Sequence, residues 1–273
     1  MAESNENVPA QKLPLENRVA IVTGSSRGIG KAIALHLASL GAKLIINYSS
    51  SNSTTLADDV VSQINSNKSV NNSAVSTVAV AVKADISDPD EVRSLFDAAE
   101  SAFQSPVNIL VHSAAECDGK RPTIMNTDLE DFDRTFSVNT RGSFLCCKEA
   151  ANRMINRGCG GRIICVTSSA TASFRAGNGA YTASKAAVEA MVKILAKELK
   201  GTGITANCVA PGPIATDMFF SAATEEKVKK VIDECPHGRL GQSEDVAPVV
   251  GFLASDASEW VNGQIIRVNG GYI

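Results

Sequence analysis

Tyr181 and Lys185 stand four residues apart in Gly-Ala-Tyr-Thr-Ala-Ser-Lys-Ala-Ala, a stretch that reads as a long Ala-rich helix. Ser168 precedes the tyrosine by thirteen residues, at the end of an apolar run. On a helix, residues i and i+4 share a face, so a lysine ammonium there can lie beside a phenol and favour its ionised form. A phenol ordinarily titrates near 10, too high for easy proton exchange at neutral pH. Together the three residues could form an acid/base site. Any long helix supplies Tyr-x-x-x-Lys pairs, however, so the pair alone reads as a surface coincidence. Chemistry follows only if other elements bring a reaction partner to it.

Those elements are legible. Residues 18–23 (Arg-Val-Ala-Ile-Val-Thr) form an apolar run that stops at Gly24, and residues 29–40 carry a helical pattern closed by Gly41. Lys-Leu-Ile-Ile-Asn-Tyr at 43–48 then reads as a second buried strand, which makes the opening a βαβ unit. Further apolar runs at 78–82, 109–112, 162–167, 204–209 and 264–268 follow helical patterns. Strands separated by helices imply a doubly wound parallel sheet of about seven strands with helices on both faces, an α/β fold of Rossmann type. One domain over residues 15–273 is expected, after a disordered tail at 1–14. Residues 62–77, rich in Ser, Asn, Val and Thr, read as a helix end plus a surface insertion.

Thr23-Gly24-Ser25-Ser26-Arg27-Gly28-Ile29-Gly30 joins the first strand to its helix. Glycines there let the backbone approach a pyrophosphate, while the helix N-terminus offers free N–H groups and a favourable dipole. A carboxylate ending the second strand would bond a ribose diol and repel a 2′-phosphate. Asn47, Tyr48 and Ser49 occupy that stretch instead, and Arg27 offers a phosphate fork inside the turn. NADPH is therefore expected over NADH. Asp85 after the third strand could accept from the adenine amine, with helix capping as the alternative, although Ser87 and Asp88 are better placed to cap.

Bulk properties exclude several classes. The 273 residues are 44% hydrophobic and 20% charged with a net charge of -3, so no basic surface for nucleic acid is expected. Seven cysteines lack C-x-x-C spacing and three histidines lie far apart, which argues against a disulfide framework or a metal site. Met1 to Lys12 is polar, with no apolar stretch of signal-peptide length, and cytoplasm is the expected location. The sequons at Asn52, Asn67 and Asn71 then have no secretory context.

Taken in order, the Thr23–Gly30 turn, Asp85, Asn139, Ser168, Tyr181 with Lys185, and Pro-Gly-Pro-Ile-Ala-Thr at 211–216 resemble the short-chain dehydrogenase/reductase family from about Arg18 onward. The likeness is nearest to its plant NADPH-dependent aldehyde/ketone reductases, through Arg-Gly-Ser-Phe-Leu-Cys-Cys-Lys-Glu-Ala at 141–150, and next to 3-oxoacyl carrier-protein reductases. The resemblance implies that Tyr181 donates a proton to a substrate carbonyl and that Lys185 lowers the tyrosine pKa. It further implies that Ser168 holds the carbonyl oxygen, with neighbouring Ser169 a rival, and that Asn139 holds a water leading to Lys185. It implies cofactor contacts at Gly24, Ser26, Arg27, Gly28, Ile29, Gly30, Tyr48, Ser49, Asp85, Ile86, Ala114, Tyr181, Lys185, Pro211, Gly212, Ile214 and Thr216. It also implies a substrate lid over about 215–235, where Met218, Phe219 and Phe220 could wall the substrate or pack against the domain. A homo-oligomer, tetramer or dimer, is implied as well.

One departure stands out. His112-Ser113-Ala114-Ala115 replaces the family's usual Asn-Asn-Ala-Gly. A catalytic role is open to His112, a structural histidine with its hydrogen bonds satisfied is the expected reading, and Ala115 could narrow the space beside the cofactor. The leading reading is reduction of a small or medium aldehyde or ketone. Enoyl reduction is disfavoured by the four-residue Tyr–Lys spacing, and a non-catalytic NADP-binding protein by the presence of both residues.

Overall fold

The computed structural model describes residues 12–66, 78–158, 160–221 and 223–273. Seven strands, β1 Val19–Thr23, β2 Lys43–Tyr48, β3 Ala79–Lys83, β4 Val107–His112, β5 Gly161–Val166, β6 Ile204–Pro211 and β7 Ile265–Val268, form one sheet. Their order is β3-β2-β1-β4-β5-β6-β7, and every pairing is parallel. The expected doubly wound sheet is present. The helices are α1 Gly28–Ser39, α2 Thr54–Asn65, α3 Pro89–Phe103, α4 Leu129–Phe136, α5 Gly142–Arg157, α6 Ala170–Ser173, α7 Gly179–Glu198, α8 Asp217–Phe220, α9 Glu225–Glu234 and α10 Ser243–Ala254.

Alternation along the strands sorts the apolar residues into two layers. Ala20, Val22, Leu44, Ile46, Ile109 and Val111 pack with Ile33 and Leu37 of α1, Val60 of α2 and Val250 of α10. Val19, Ile21, Ile45 and Leu110 point the other way, onto Leu95 and Phe96 of α3, Met154 of α5 and Val192 of α7. A strand covered on both faces must be apolar at every position, and β1 is buried throughout. Helix boundaries have local causes too. Asp88 caps α3 by accepting the N–H groups of Asp90 and Glu91, with Pro89 in the first turn, where its missing N–H costs nothing.

The fold departs from expectation at strand ends, with β4 beginning at Val107, two residues before the expected run. Strand β6 runs to Pro211, two residues beyond the apolar run, because Pro211 still pairs with Val268 and its carbonyl accepts the Ser169 N–H at 2.8 Å. The expected insertion at 62–77 falls partly on α2, which ends at Asn65, and otherwise outside the described residues. Residues 1–11 of the expected tail also lie outside them, while Leu15 is fully buried and its N–H bonds the Leu40 carbonyl at 2.9 Å.

The order reverses between β1 and β4, so the crossovers leave in opposite directions and open a crevice beyond the carboxyl ends of these strands. Phe96, wholly buried between α3 and the sheet, anchors the layer that carries α7. Replacing it by Ala is expected to cost about 3–5 kcal/mol, read as a lower urea midpoint at unchanged slope.

Candidate active site

The crevice is an open cleft of about 1180 Å³, and residues following all seven strands line it. After β1 comes the glycine turn. Gly24 sits at φ 62, where a Cβ would stand 2.7 Å from the Ala114 Cα, and a Cβ on Gly30 would collide with the Gly24 carbonyl. Only glycine closes this turn. Arg27 precedes α1 in extended conformation, and no side chain caps the N-terminus of α1. Its first N–H groups therefore face the cleft with the positive end of the helix dipole, in a cradle suited to a pyrophosphate.

Asn47 fixes that turn to β2 and β3. Its Oδ1 accepts the Gly24 N–H at 3.3 Å, while its Nδ2 donates to the carbonyls of Ala84 at 3.0 Å and Val82 at 3.3 Å. The residue at the expected nucleotide-discriminating stretch is thus spent on structure, and Tyr48 and Ser49 remain to line the cleft. Asp85 also lines it, and its Oδ1 accepts from the Ser87 N–H and hydroxyl at 2.9 and 2.8 Å. Capping belongs to Asp88. The implied cofactor contacts, from Gly24 through Ile86 and Ala114 to Ile214 and Thr216, all lie on this one cleft wall.

At the other end, α7 presents Tyr181 and Lys185 to the end of β5. The Lys185 ammonium is buried and donates to the Val166 carbonyl at 2.9 Å. Burial lowers its pKa to about 8, partly opposed by the nearby sulfurs of Cys165, Cys208 and Cys117 and by Glu189. The Tyr181 phenol moves the opposite way. Burial pushes it up to about 12, Cys117 adds to this, and the hydrogen bond from Ser168 and the charge of Arg121 oppose it. The Lys185 ammonium lies 6.0 Å from the ring centroid, and desolvation dominates the net shift of the phenol. Ser168 lines the cleft, and its hydroxyl also accepts the Ala170 N–H at 3.1 Å. Ser169 also lines the cleft, is buried, and donates its hydroxyl hydrogen to the Ala210 carbonyl at 3.0 Å.

Asn139 stands behind the wall rather than on it. Both hydrogens of its amide are committed, to the Glu116 carbonyl at 2.8 Å and the Ser184 hydroxyl at 3.0 Å, and its Oδ1 accepts the Glu116 N–H at 2.8 Å. It sits in a π-helical turn, Ser137–Arg141, between α4 and α5. Its side chain fastens the loop after β4 to α7.

His112 is only half satisfied. Thr23 Oγ1 accepts the N–H groups of Ser113 and Ala114 at 3.0 and 3.1 Å, so its single hydrogen goes to His112 Nδ1 at 3.2 Å. The imidazole proton then belongs on Nε2, which is buried and has no partner among the described residues. Burial, reinforced by Lys185, lowers the imidazole pKa to about 3, so it stays neutral. Ala115 lines the cleft with no positive φ, so its methyl group brings no backbone strain.

Of the lid residues, Met218 and Phe219 line the cleft; Phe220 stacks edge-on against Phe219 at 5.4 Å and is half exposed. Cys117, Arg121, Arg175, Lys227 and Tyr272 also line it, although no motif marked them. They come from loops, from α9 and from the C-terminus, and no motif spacing links them.

A family model described as enoyl-(acyl carrier protein) reductase matches residues 24–273. The chain is 60% identical, over 99% of each chain, to an Arabidopsis thaliana protein named NADPH-dependent aldehyde reductase-like protein, chloroplastic. It is 54% identical to a short-chain type dehydrogenase/reductase of Picea abies, over 95% of this chain and 93% of that one. Among solved structures, 7α-hydroxysteroid dehydrogenase complexed with NADH and 7-oxo glycochenodeoxycholic acid superposes with a TM-score of 0.84 at 33% identity, covering 95% of this chain and 96% of that one.

The buried ammonium yields a pH signature. Lys185 holds its proton up to about 10.5 when unfolded and only up to about 8 in the fold. Between these values the unfolded chain binds more protons, so stability rises with pH, and the full cost of the buried cation is felt below the window. Urea unfolding of wild type and Lys185→Met across this window should show the wild type gaining relative to the variant. A constant difference would refute the assignment.

Proposed function

The chain belongs to the short-chain dehydrogenase/reductase family, and from that premise we propose that it reduces small or medium aldehydes and ketones to alcohols with NADPH. The observation that carries the proposal is the placement of Tyr181, Ser168 and Lys185 at one end of the same cleft whose other end is the glycine cradle and Arg27. The name of the Arabidopsis relative supports both the cofactor and the carbonyl substrate.

When bound, the nicotinamide supplies hydride to the carbonyl carbon. The chain's residues handle the oxygen. Ser168 and Tyr181 hydrogen-bond it, and the phenol gives up its proton as negative charge develops. A phenol held near 12 keeps that proton at neutral pH and is still far more acidic than an alcohol, so transfer runs toward the product. Lys185, anchored by Val166, places its charge where the phenolate forms and is available to the nicotinamide ribose. Asn139 positions α7 through Ser184, which in turn donates to the Tyr181 carbonyl at 2.7 Å. Arg27 binds the 2′-phosphate, and residues 215–235 close over the substrate. The four-residue Tyr–Lys spacing favours C=O over C=C reduction.

Apolar side chains left exposed on α5 and α7, Phe144, Ile155 and Ile194, support a homo-oligomer, which light scattering would size. No described helix is long and apolar enough to cross a membrane. For location, the Arabidopsis relative's name supports the chloroplast against the expected cytoplasm. Imaging a C-terminal fluorescent fusion separates the two.

Two outcomes test the reading. Wild type should consume NADPH with an aldehyde panel, and Tyr181→Phe should lose about 100-fold or more in kcat; full activity in that variant would sink the proposed acid. Arg27→Ala should raise the KM for NADPH about tenfold while moving that for NADH little, the size of a lost charged hydrogen bond. Equal shifts would reject the phosphate role.

A further inference from the structure

The cleft carries a charge pattern that hydride and proton transfer do not use. Three cations reach its wall from three separate elements: Arg121 from the loop after β4, Arg175 from the turn between α6 and α7, and Lys227 from α9. Their closeness shows in their effects. Arg121 and Arg175 add to burial in holding the Lys227 ammonium below its ordinary range, and Arg121 also acts on the Tyr181 phenol. The group therefore lies beside the proposed proton donor, away from the Arg27 end. Like charges gathered where water is partly excluded repel each other, and an anionic ligand would relieve that cost.

Arg121 is the least compensated of the three. Its backbone sits at φ 50, a region that side-chain-bearing residues seldom occupy, and its carbonyl stands 2.7 Å from where a Cβ on Gly177 would lie. The guanidinium makes one long hydrogen bond, Nη1 to Asn178 Oδ1 at 3.4 Å, and its Nε is buried without a partner. Among the described residues it is in no ion pair. Arg175, by contrast, pairs with Glu234 and lies 4.9 Å over the Tyr272 ring. Asp217, Glu116 and Asp133 also line the cleft, and Glu116 is paired with Arg134.

Resting on the reductase reading above, we infer that the carbonyl compound reduced here carries an anionic group, carboxylate or phosphate, and that Arg121, with Arg175 and Lys227, binds it while the carbonyl lies at Tyr181. A planar guanidinium with unspent donors matches the paired oxygens of such a group. An uncharged aldehyde leaves those donors unpaired.

The test presents NADPH-loaded enzyme with matched substrates: pentanal against glutarate semialdehyde, and glyceraldehyde against glyceraldehyde phosphate. In one pair or both, kcat/KM should favour the anionic member by about tenfold or more, mainly through KM. Which pair shows the preference tells carboxylate from phosphate. Arg121→Gln and Arg175→Gln should each reduce the anionic-to-neutral ratio, and Arg121→Lys should restore part of it. Equal kcat/KM within both pairs overturns the inference. Should no aldehyde be reduced, calorimetric titration of glutarate and of inorganic phosphate into the NADP+-saturated protein decides the question separately. Binding that weakens in Arg121→Gln then supports the anion site while the reductase reading fails, and no binding of either anion overturns the site.

Discussion

A buried ammonium must find an acceptor or abandon its charge, and Lys185 finds the carbonyl of Val166 where β5 runs out of partners. Much of the molecule is arranged around that bond. An interior strand has no spare carbonyls along its length, so the contact can form only at a carboxyl edge. Helix α7 must therefore cross the sheet at that edge, which brings its tyrosine beside Ser168. The face of α7 that carries Lys185 also carries Val188 and Val192, which meet the layer built on Phe96 and Leu110. A lysine stem threaded through an apolar layer ties the position of the reactive end to the core.

Polar restraints at the other strand ends work in the same way. Thr23 gathers two N–H groups from the loop after β4 and donates to His112, and Asn139 ties that loop to α7. Loops are ordinarily the soft part of an open sheet. Here the segments that bear the cleft's polar groups are held by buried side chains with few alternatives. The unpartnered Nε2 of His112 shows that the arrangement is not cost-free. A sheet residue with two ring nitrogens serves one neighbour and leaves the other atom stranded.

Sequence made the sheet legible because its signals are local and repeated. Apolar runs of strand length, glycines at positive φ and the Asp88-Pro89 start of α3 each act over a few residues. The glycine turn and the Tyr181/Lys185 pair were legible for the same reason: their geometry is written in spacing. The groups that the sequence left unmarked act across long separations. Arg121 meets Arg175 and Lys227 only after the chain has folded, and Asn139 spends its amide on Glu116 and Ser184. The direction of the tyrosine shift was also beyond reach, since i and i+4 adjacency says nothing about how far water is excluded.

Asn47 has a further consequence, for engineering. Its amide donates to two strand carbonyls and accepts from the glycine turn, a combination that no carboxylate can reproduce, since an acid at that position would set acceptor against acceptor. Changing the coenzyme preference by the familiar route of installing an acidic residue would here dismantle the turn it was meant to serve. Redesign must begin one residue later, at Tyr48 or Ser49, where the chain has already met its structural obligations.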